Sequence, residues 1–331
     1  MENLNVQSSG EQSAYADLDI AVIIPCYNEE AAIATVIKNF QRAVPSAIIF
    51  VFDNNSTDNT VAMAKASGAL VRKVALQGKG NVIRRMFADV EADIYVLVDG
   101  DNTYDAQAAP KLIETLIDGG LDMVVGSRVS NKNNAYRFGH RFGNALLTKS
   151  VAFIFGYAFT DMLSGYRIFS RRYVKSFAAH SSGFETETEL AVHALQLRMP
   201  VAEVPTQYSA RLNGSLSKLN TYRDGLRILI TIFKLFKSEK PLTFFSSGFF
   251  FCNVVSIILA IPLFETFIQT GLVPRFPTAI LCSALMLFGL ILLTCGIVLN
   301  TVTKGRSEAK RFAYLSYSAP GRAPASKHAN S

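Results

Sequence analysis

Two runs in the last third of the chain, Thr243–Phe264 and Thr278–Thr303, contain no Asp, Glu, Lys or Arg. At about 1.5 Å rise per residue, each makes a helix of roughly 33 Å or more against a hydrocarbon core of about 30 Å. Membrane spans are therefore expected over 243–264 and 278–302; the competing reading is a pair of buried core helices. Lys234, Lys237 and Lys240 precede the first run, and Lys304, Arg306, Lys310 and Arg311 follow the second. The connection Glu265–Pro277 offers only Arg275. The positive-inside rule then puts both ends of the hairpin on the cytoplasmic side. Ahead of it, within 221–241, Tyr222–Lys237 sets Leu226, Ile228, Leu229, Ile230, Ile232, Phe233, Leu235 and Phe236 among Arg223, Arg227, Lys234 and Lys237. That pattern suits an interfacial helix on anionic membrane lipids, with an ordinary domain helix as the alternative. The small residues Ser246, Ser247, Gly248 and Gly289 would let helices approach closely, which admits a homo-oligomer.

Over 18–220 the pattern changes. Short β-branched runs, Ile20–Ile24, Ala47–Phe52, Ala69–Val74, Ile94–Val98 and Met123–Val125, alternate with helical patterns over Glu30–Arg42, Thr60–Ser67, Lys79–Val90 and Ala106–Asp118. This is βαβ grammar, and the continuously apolar strands fit a mostly parallel sheet covered on both faces. A helix over Glu185–Leu197, a strand over Val201–Val204 and a polar loop over Ser209–Lys218 follow. Residues 1–17 are polar without an apolar core segment, which predicts a mobile tail and no cleavable leader. The basic stretch 304–331 is expected to be a disordered tail. Cys252, Cys282 and Cys295 fall in the apolar runs and Cys26 at a strand end, so disulfides are not expected.

Ligands of parallel α/β sheets bind beyond the carboxyl ends of the strands, and three strands there end in acid-containing segments. Pro25-Cys26-Tyr27-Asn28-Glu29-Glu30 follows the first and Asp53-Asn54-Asn55-Ser56-Thr57-Asp58 the second. Their carboxylates can accept from ribose or base donors; Ser56 and Asp58 equally read as helix caps. After Ile94–Val98 comes Asp99-Gly100-Asp101. Two carboxylates so spaced reach one hard divalent cation if the turn re-aims the second, with Mg²⁺ or Mn²⁺ completed by substrate phosphates.

These segments, with Gly126-Ser127-Arg128, Asp161-Met162-Leu163-Ser164-Gly165-Tyr166-Arg167 and Gly183–Leu190, follow one another in the order seen in inverting family 2 glycosyltransferases. The chain most resembles the dolichol-phosphate mannose synthase type, and its two spans resemble bacterial polyisoprenyl-phosphate glycosyltransferases. The resemblance covers Asp19–Asn300. It implies a GT-A fold, α/β and Rossmann-like, and a nucleotide-sugar donor held by Pro25, Tyr27, Glu29, Asp53, Lys79 and Asp99. It implies a metal on Asp99 and Asp101, and Arg128 near the donor phosphates. Asp161 matches the acid beside the acceptor and Glu189 an acid of the active-site helix. Arg211, Ser217 and Lys218 match a loop for the acceptor polyisoprenyl phosphate, although Arg211–Lys218 is one residue longer than the family pattern. Asn54 and Asn55 replace the commoner Asp-Gly, and Thr103 stands where a further metal-contacting side chain can occur. The resemblance places the protein in a bacterial inner membrane.

The expected reaction is inverting attack of a lipid phosphate oxygen on the anomeric carbon. A phosphate monoester with a second pKa of about 6 is mostly a dianion near neutrality and needs little help from a base. Asp161 is therefore expected to position groups rather than take a proton, with Asp101, Asp161, Arg128 and Glu189 as the catalytic set. His140 and His193 read as surface or packing residues. Arg137 and Arg141 either clamp the lipid phosphate or form a solvated basic face. Other readings are a membrane glycosyltransferase with another lipid or glycan acceptor, or a non-catalytic nucleotide-sugar scaffold. Processive synthases of this fold usually carry Gln-x-x-Arg-Trp, and this chain has no Trp. The net charge of +7 lacks the basic aromatic surface of a nucleic-acid binder. A uridine donor is favoured over a guanosine one.

Overall fold

The computed structural model describes residues 15, 17–129, 148–153, 155–156, 159–178, 186–209 and 221–321. Arg137, His140, Arg141, Arg211, Ser217 and Lys218, and most of the expected N-terminal tail, lie outside them.

Among the described residues seven strands form one sheet: β1 Ile20–Cys26, β2 Ile48–Asp53, β3 Leu70–Lys73, β4 Ile94–Leu97, β5 Met123–Val129, β6 Arg167–Ser170 and β7 Val201–Gln207. The order is β3-β2-β1-β4-β6-β5-β7. All neighbours are parallel except β6, which runs antiparallel between β4 and β5. Helices α1 Ile33–Ala43, α2 Thr60–Ala66, α3 Lys79–Asp89 and α4 Ala109–Asp118 connect the early strands, and α5 Arg171–Ser176 and α6 Thr186–Gln196 follow β6. The α1 helix shows why they pack: Ile33, Val36, Ile37 and Phe40 recur at helical spacing and are all buried. They join Val22, Ile24, Val96 and Ile168 of the sheet in one core. Tyr15, ahead of the expected boundary at 18, is buried in that core, and Leu18 packs against it.

Two strands outrun their sequence signals. The strand β7 continues through Pro205 to Gln207, because among the described residues it is an edge strand paired with β5 alone, and an edge tolerates a proline. Its register carries β5 on through Gly126, Ser127 and Arg128. A Cβ on Gly126 would meet Tyr166 and Thr206 at 3.0–3.1 Å, so the strand accepts only glycine comfortably there.

The chain divides into two compact units. The second contains α7 Thr221–Glu239, α8 Pro241–Thr270 and most of α9 Phe276–Leu315. Both α8 and α9 are long and apolar enough to cross a membrane, and their apolar side chains are mostly exposed, unlike those of a soluble core helix. Within this unit Gly248 faces Leu292, Gly289 faces Asn253, and Ser256 Oγ donates to Cys282 O at 2.9 Å. The close approach allowed by Gly248 and Gly289 is thus used between α8 and α9 of one chain.

The expected disordered tail from 304 is instead helical to Leu315. From Arg311 onward the chain belongs to the first unit. There Tyr314 Oη donates to Asp122 Oδ2 at 2.9 Å, and Arg311 Nη1 donates to Leu197 O at 3.0 Å. Asp122 is fully buried and also receives Arg172 through both oxygens (2.5 and 2.9 Å) and Ser170 Oγ (2.7 Å). The Arg172 guanidinium lies 4.7 Å over the Tyr314 ring. Docking of these side chains explains why a basic segment keeps its helix.

Candidate active site

The segments after β1 and β2 are laced together at the carboxyl edge of the sheet. Asn28, in the left-handed region at φ 53°, donates its N–H to Ser56 Oγ at 2.9 Å, and its Oδ1 accepts from Thr57 N at 2.8 Å. Glu29 N–H donates to Thr60 Oγ1 (2.8 Å). Asp58 accepts from Thr60 N and from Glu30 N, so it ties the two loops together just ahead of α2, whose N-cap is Asn59. Pro25 and Cys26 pair in register with Phe52 and Asp53. Asp53 is buried and accepts from Ser56 N–H. Pro25, Tyr27 and Glu29 are half-buried beside it, so the four residues assigned to the nucleoside share one edge.

The turn after β4 re-aims the second acid. Asn102 has φ 58°, and Thr103 folds back so that its hydroxyl donates to Asp101 Oδ1 at 2.6 Å and its N–H to the same oxygen at 3.2 Å. Thr103 therefore orients Asp101. Ser209 N–H donates to Thr103 O at 2.9 Å, and a bridge joins Tyr104 to Tyr208, which pins this turn beside β7.

Lys79, the first residue of α3, places its ammonium 2.7 Å from Asp99 Oδ1 and 2.6 Å from Glu187 Oε1. Burial alone would depress the lysine; the two carboxylates outweigh it and hold the ammonium well above its usual range. Glu187 is 5% exposed, and its Oε2 is buried without a partner among the described residues. The sequence singled out Glu189 of the same helix, which is half-buried; the carboxylate that meets Lys79 is Glu187. Helical phase could have found it, because Glu187 shares a face with the buried Leu190, Ala191 and Ala194. Gly165 closes the other side of Asp99. A Cβ there would collide with Asp99 Oδ2, and the Gly165 N–H donates to Tyr104 Oη at 2.8 Å.

A second cluster lies at the end of β5. Arg128 donates Nε to Asp161 Oδ2 and Nη2 to Asp161 Oδ1, both at 2.7 Å, and its N–H to Oδ2 at 3.2 Å. Burial pushes the Asp161 carboxyl up, but these bonds prevail and hold it below the usual carboxylate range. The Arg128 guanidinium also lies 5.5 Å over the Tyr208 ring. Glu203 on β7 accepts from the N–H groups of Thr160 and Asp161, fixing the loop that carries Asp161. Arg167, fully buried, spans that loop from beneath, donating to Ser164 O (3.0 Å) and Met162 O (2.5 Å). In the sequence Arg167 is only the last residue of a motif, and nothing local signals this role. His193 is buried against Tyr173 and Phe177, as a packing residue would be.

Asp99 and Asp101 supply hard carboxylate oxygens of the kind Mg²⁺ and Mn²⁺ prefer. Among the described residues no group of three or more His, Cys, Asp and Glu side chains could hold a metal by itself. The two aspartates fit a cation whose remaining ligands are donor phosphates and water, the usual Mg²⁺ arrangement.

This geometry has counterparts in known proteins. Residues 21–177 match the model of the family described as glycosyl transferase family 2. Glycosyltransferase AglJ of Haloferax volcanii is 33% identical over 299 residues, covering 89% of this chain and 98% of its own. A dolichyl-phosphate hexose transferase of the same organism is 27% identical over 67% of this chain and 96% of its own. Glucosyl-3-phosphoglycerate synthase of Mycobacterium tuberculosis, solved in complex with Mn²⁺, UDP-glucose and phosphoglyceric acid, superposes with a TM-score of 0.53 at 26% identity. The match covers 66% of this chain and 81% of that one. The mostly parallel sheet, the acidic turn after β4 and these matches agree: the chain is an enzyme with the GT-A fold and belongs to glycosyl transferase family 2.

Proposed function

We propose that the protein transfers a hexose-type sugar from a nucleotide-sugar, UDP-linked in preference to GDP-linked, to a polyisoprenyl phosphate with inversion at the anomeric carbon. The observation that carries this reading is the pairing of Lys79 with Asp99 at the carboxyl edge of the sheet, beside Asp101. A lysine ammonium and two carboxylates in one half-buried edge suit a diphosphate chelated to a cation. In this reading Pro25, Tyr27, Glu29 and Asp53 hold the nucleoside, and Asp99 and Asp101 would hold Mg²⁺ or Mn²⁺. When bound, the cation neutralises charge on the departing diphosphate. Arg128, fixed by Asp161, faces the phosphates at the end of β5. The Mn²⁺ and UDP-glucose bound by the mycobacterial synthase support the metal and the uridine base.

A lipid acceptor is supported by the two exposed apolar helices and by the dolichyl-phosphate hexose transferase relative. Its phosphate is already anionic near neutrality, so an arginine-bound Asp161 need not accept a proton. Arg137, Arg141, Arg211, Ser217 and Lys218 are assigned to the acceptor phosphate, and Glu189 to the active-site helix. The flanking lysines and arginines support a cytoplasmic position for both ends of the helical hairpin, in a bacterial inner membrane on this reading. The test is nucleotide release from UDP-hexose with undecaprenyl phosphate, free undecaprenol or diacylglycerol as acceptor. Release stimulated by the phosphate alone is expected; equal stimulation by diacylglycerol would overturn the acceptor assignment.

A further inference from the structure

We infer that Asn54 is a positioning residue for the Lys79 ammonium, acting through the loop Val74–Gly78; this rests on the donor-site reading above. Asn54 directly follows the nucleoside-side Asp53 and is 5% exposed. Its amide is used in full across the gap between β2 and α3. Nδ2 donates to Val74 O (3.0 Å) and Leu76 O (2.9 Å), and Oδ1 accepts from Gly78 N (2.7 Å). Asn55 Nδ2 adds a bond to Ala75 O at 2.8 Å, and Val74 N–H donates to Asp53 O at 2.8 Å. Every residue of the loop except Gln77 is thereby tied to the end of β2.

The loop ends at Gly78, whose φ of 125° and ψ of 136° suit glycine. The next residue is Lys79. The lysine is therefore held from both sides: the backbone of the residue before it by the Asn54–Gly78 bond, its ammonium by Asp99 and Glu187. Only an amide can do this. An aspartate at position 54 would lose both donors and set a carboxylate oxygen against the Val74 and Leu76 carbonyls. The departure from the commoner Asp-Gly thus has a physical use, the construction of this particular lysine-bearing loop.

A charge-assisted bond to a diphosphate depends on where the ammonium sits, whereas a nucleoside without phosphates makes no such bond. Calorimetry with UDP and with uridine, in the presence of Mn²⁺, separates the two. Lys79→Met should weaken UDP by ~10–100-fold and leave uridine unchanged. Asn54→Ala should weaken UDP by ~5–20-fold in the parent, but by less than ~2-fold in the Lys79→Met background, because the two side chains act through one contact. If the alanine variant does not fold, Asn54→Ser, which keeps one donor, carries the same cycle.

An equal loss in both backgrounds, or a uridine loss matching the UDP loss, would overturn the inference and leave the donor site standing. Unchanged UDP affinity in Lys79→Met would overturn the donor-site reading together with the inference.

Discussion

Arg128 and Asp161 meet as a bidentate pair, Nε to Oδ2 and Nη2 to Oδ1 at 2.7 Å each, with Asp161 buried. A carboxylate so engaged holds an arginine in place and is a poor proton acceptor. Asp161→Asn keeps one acceptor oxygen for Arg128 and should retain activity within ~10–100-fold of the parent. Asp101→Ala, which removes a proposed cation ligand, should lose more than ~10³-fold. Initial rates of sugar transfer decide it; an equal, total loss in both variants would contradict the positioning role.

The same pair fixes a pH signature. Arg128 lowers the Asp161 carboxyl in the folded protein, while the unfolded value is about 3.9. The stabilisation is therefore complete above the unfolded value and is lost as pH falls through the lower, folded value. Asp161→Asn should melt below the parent at pH 7 and pH 5, and the gap should close below about pH 4. Thermal melts across that range check it.

Two small residues shape the acidic turn. Thr103→Val removes the hydroxyl that orients Asp101 without changing side-chain volume much, and should weaken Mn²⁺ binding in the presence of UDP by ~10–100-fold. Gly165→Ala puts a methyl against the Asp99 carboxylate and should give a comparable loss. Calorimetric titration of Mn²⁺ into the UDP-bound protein reads both; uridine binding should be unaffected.

Asp122 supplies a stability test away from the chemistry. Arg172→Ala leaves a fully buried carboxylate without its cation, at a cost of about 3–5 kcal/mol. Tyr314→Phe removes one of its hydrogen bonds and should cost about 1–2 kcal/mol. Urea unfolding of the catalytic unit should rank the two in that order.

Much of this architecture was legible in the sequence, for identifiable reasons. The strands β1, β2 and β4 are continuous apolar runs, and the acids that follow them sit where parallel sheets bind ligands. The strand β6 leaves little trace in the sequence because it is four residues long and starts with the buried Arg167, and propensity gives no sign that an arginine will be enclosed. Glu187 and Glu189 are equivalent in composition, and only the phase of α6 against the sheet separates them. The helical stretch up to Leu315 is not legible locally because its order comes from Tyr314 and Arg311 docking on residues far away in the chain. The amide of Asn54 is a departure from a family pattern, whereas its reason lies in backbone atoms 20 to 24 residues further on.

The transfer reaction is tested most directly by incubating the detergent-purified protein with undecaprenyl phosphate and radiolabelled UDP- and GDP-hexoses, with and without Mg²⁺ or Mn²⁺. The predicted result is one metal-dependent, acid-labile, organic-extractable labelled lipid, formed from a UDP-hexose. Tight UDP binding without a labelled lipid from any donor would contradict it.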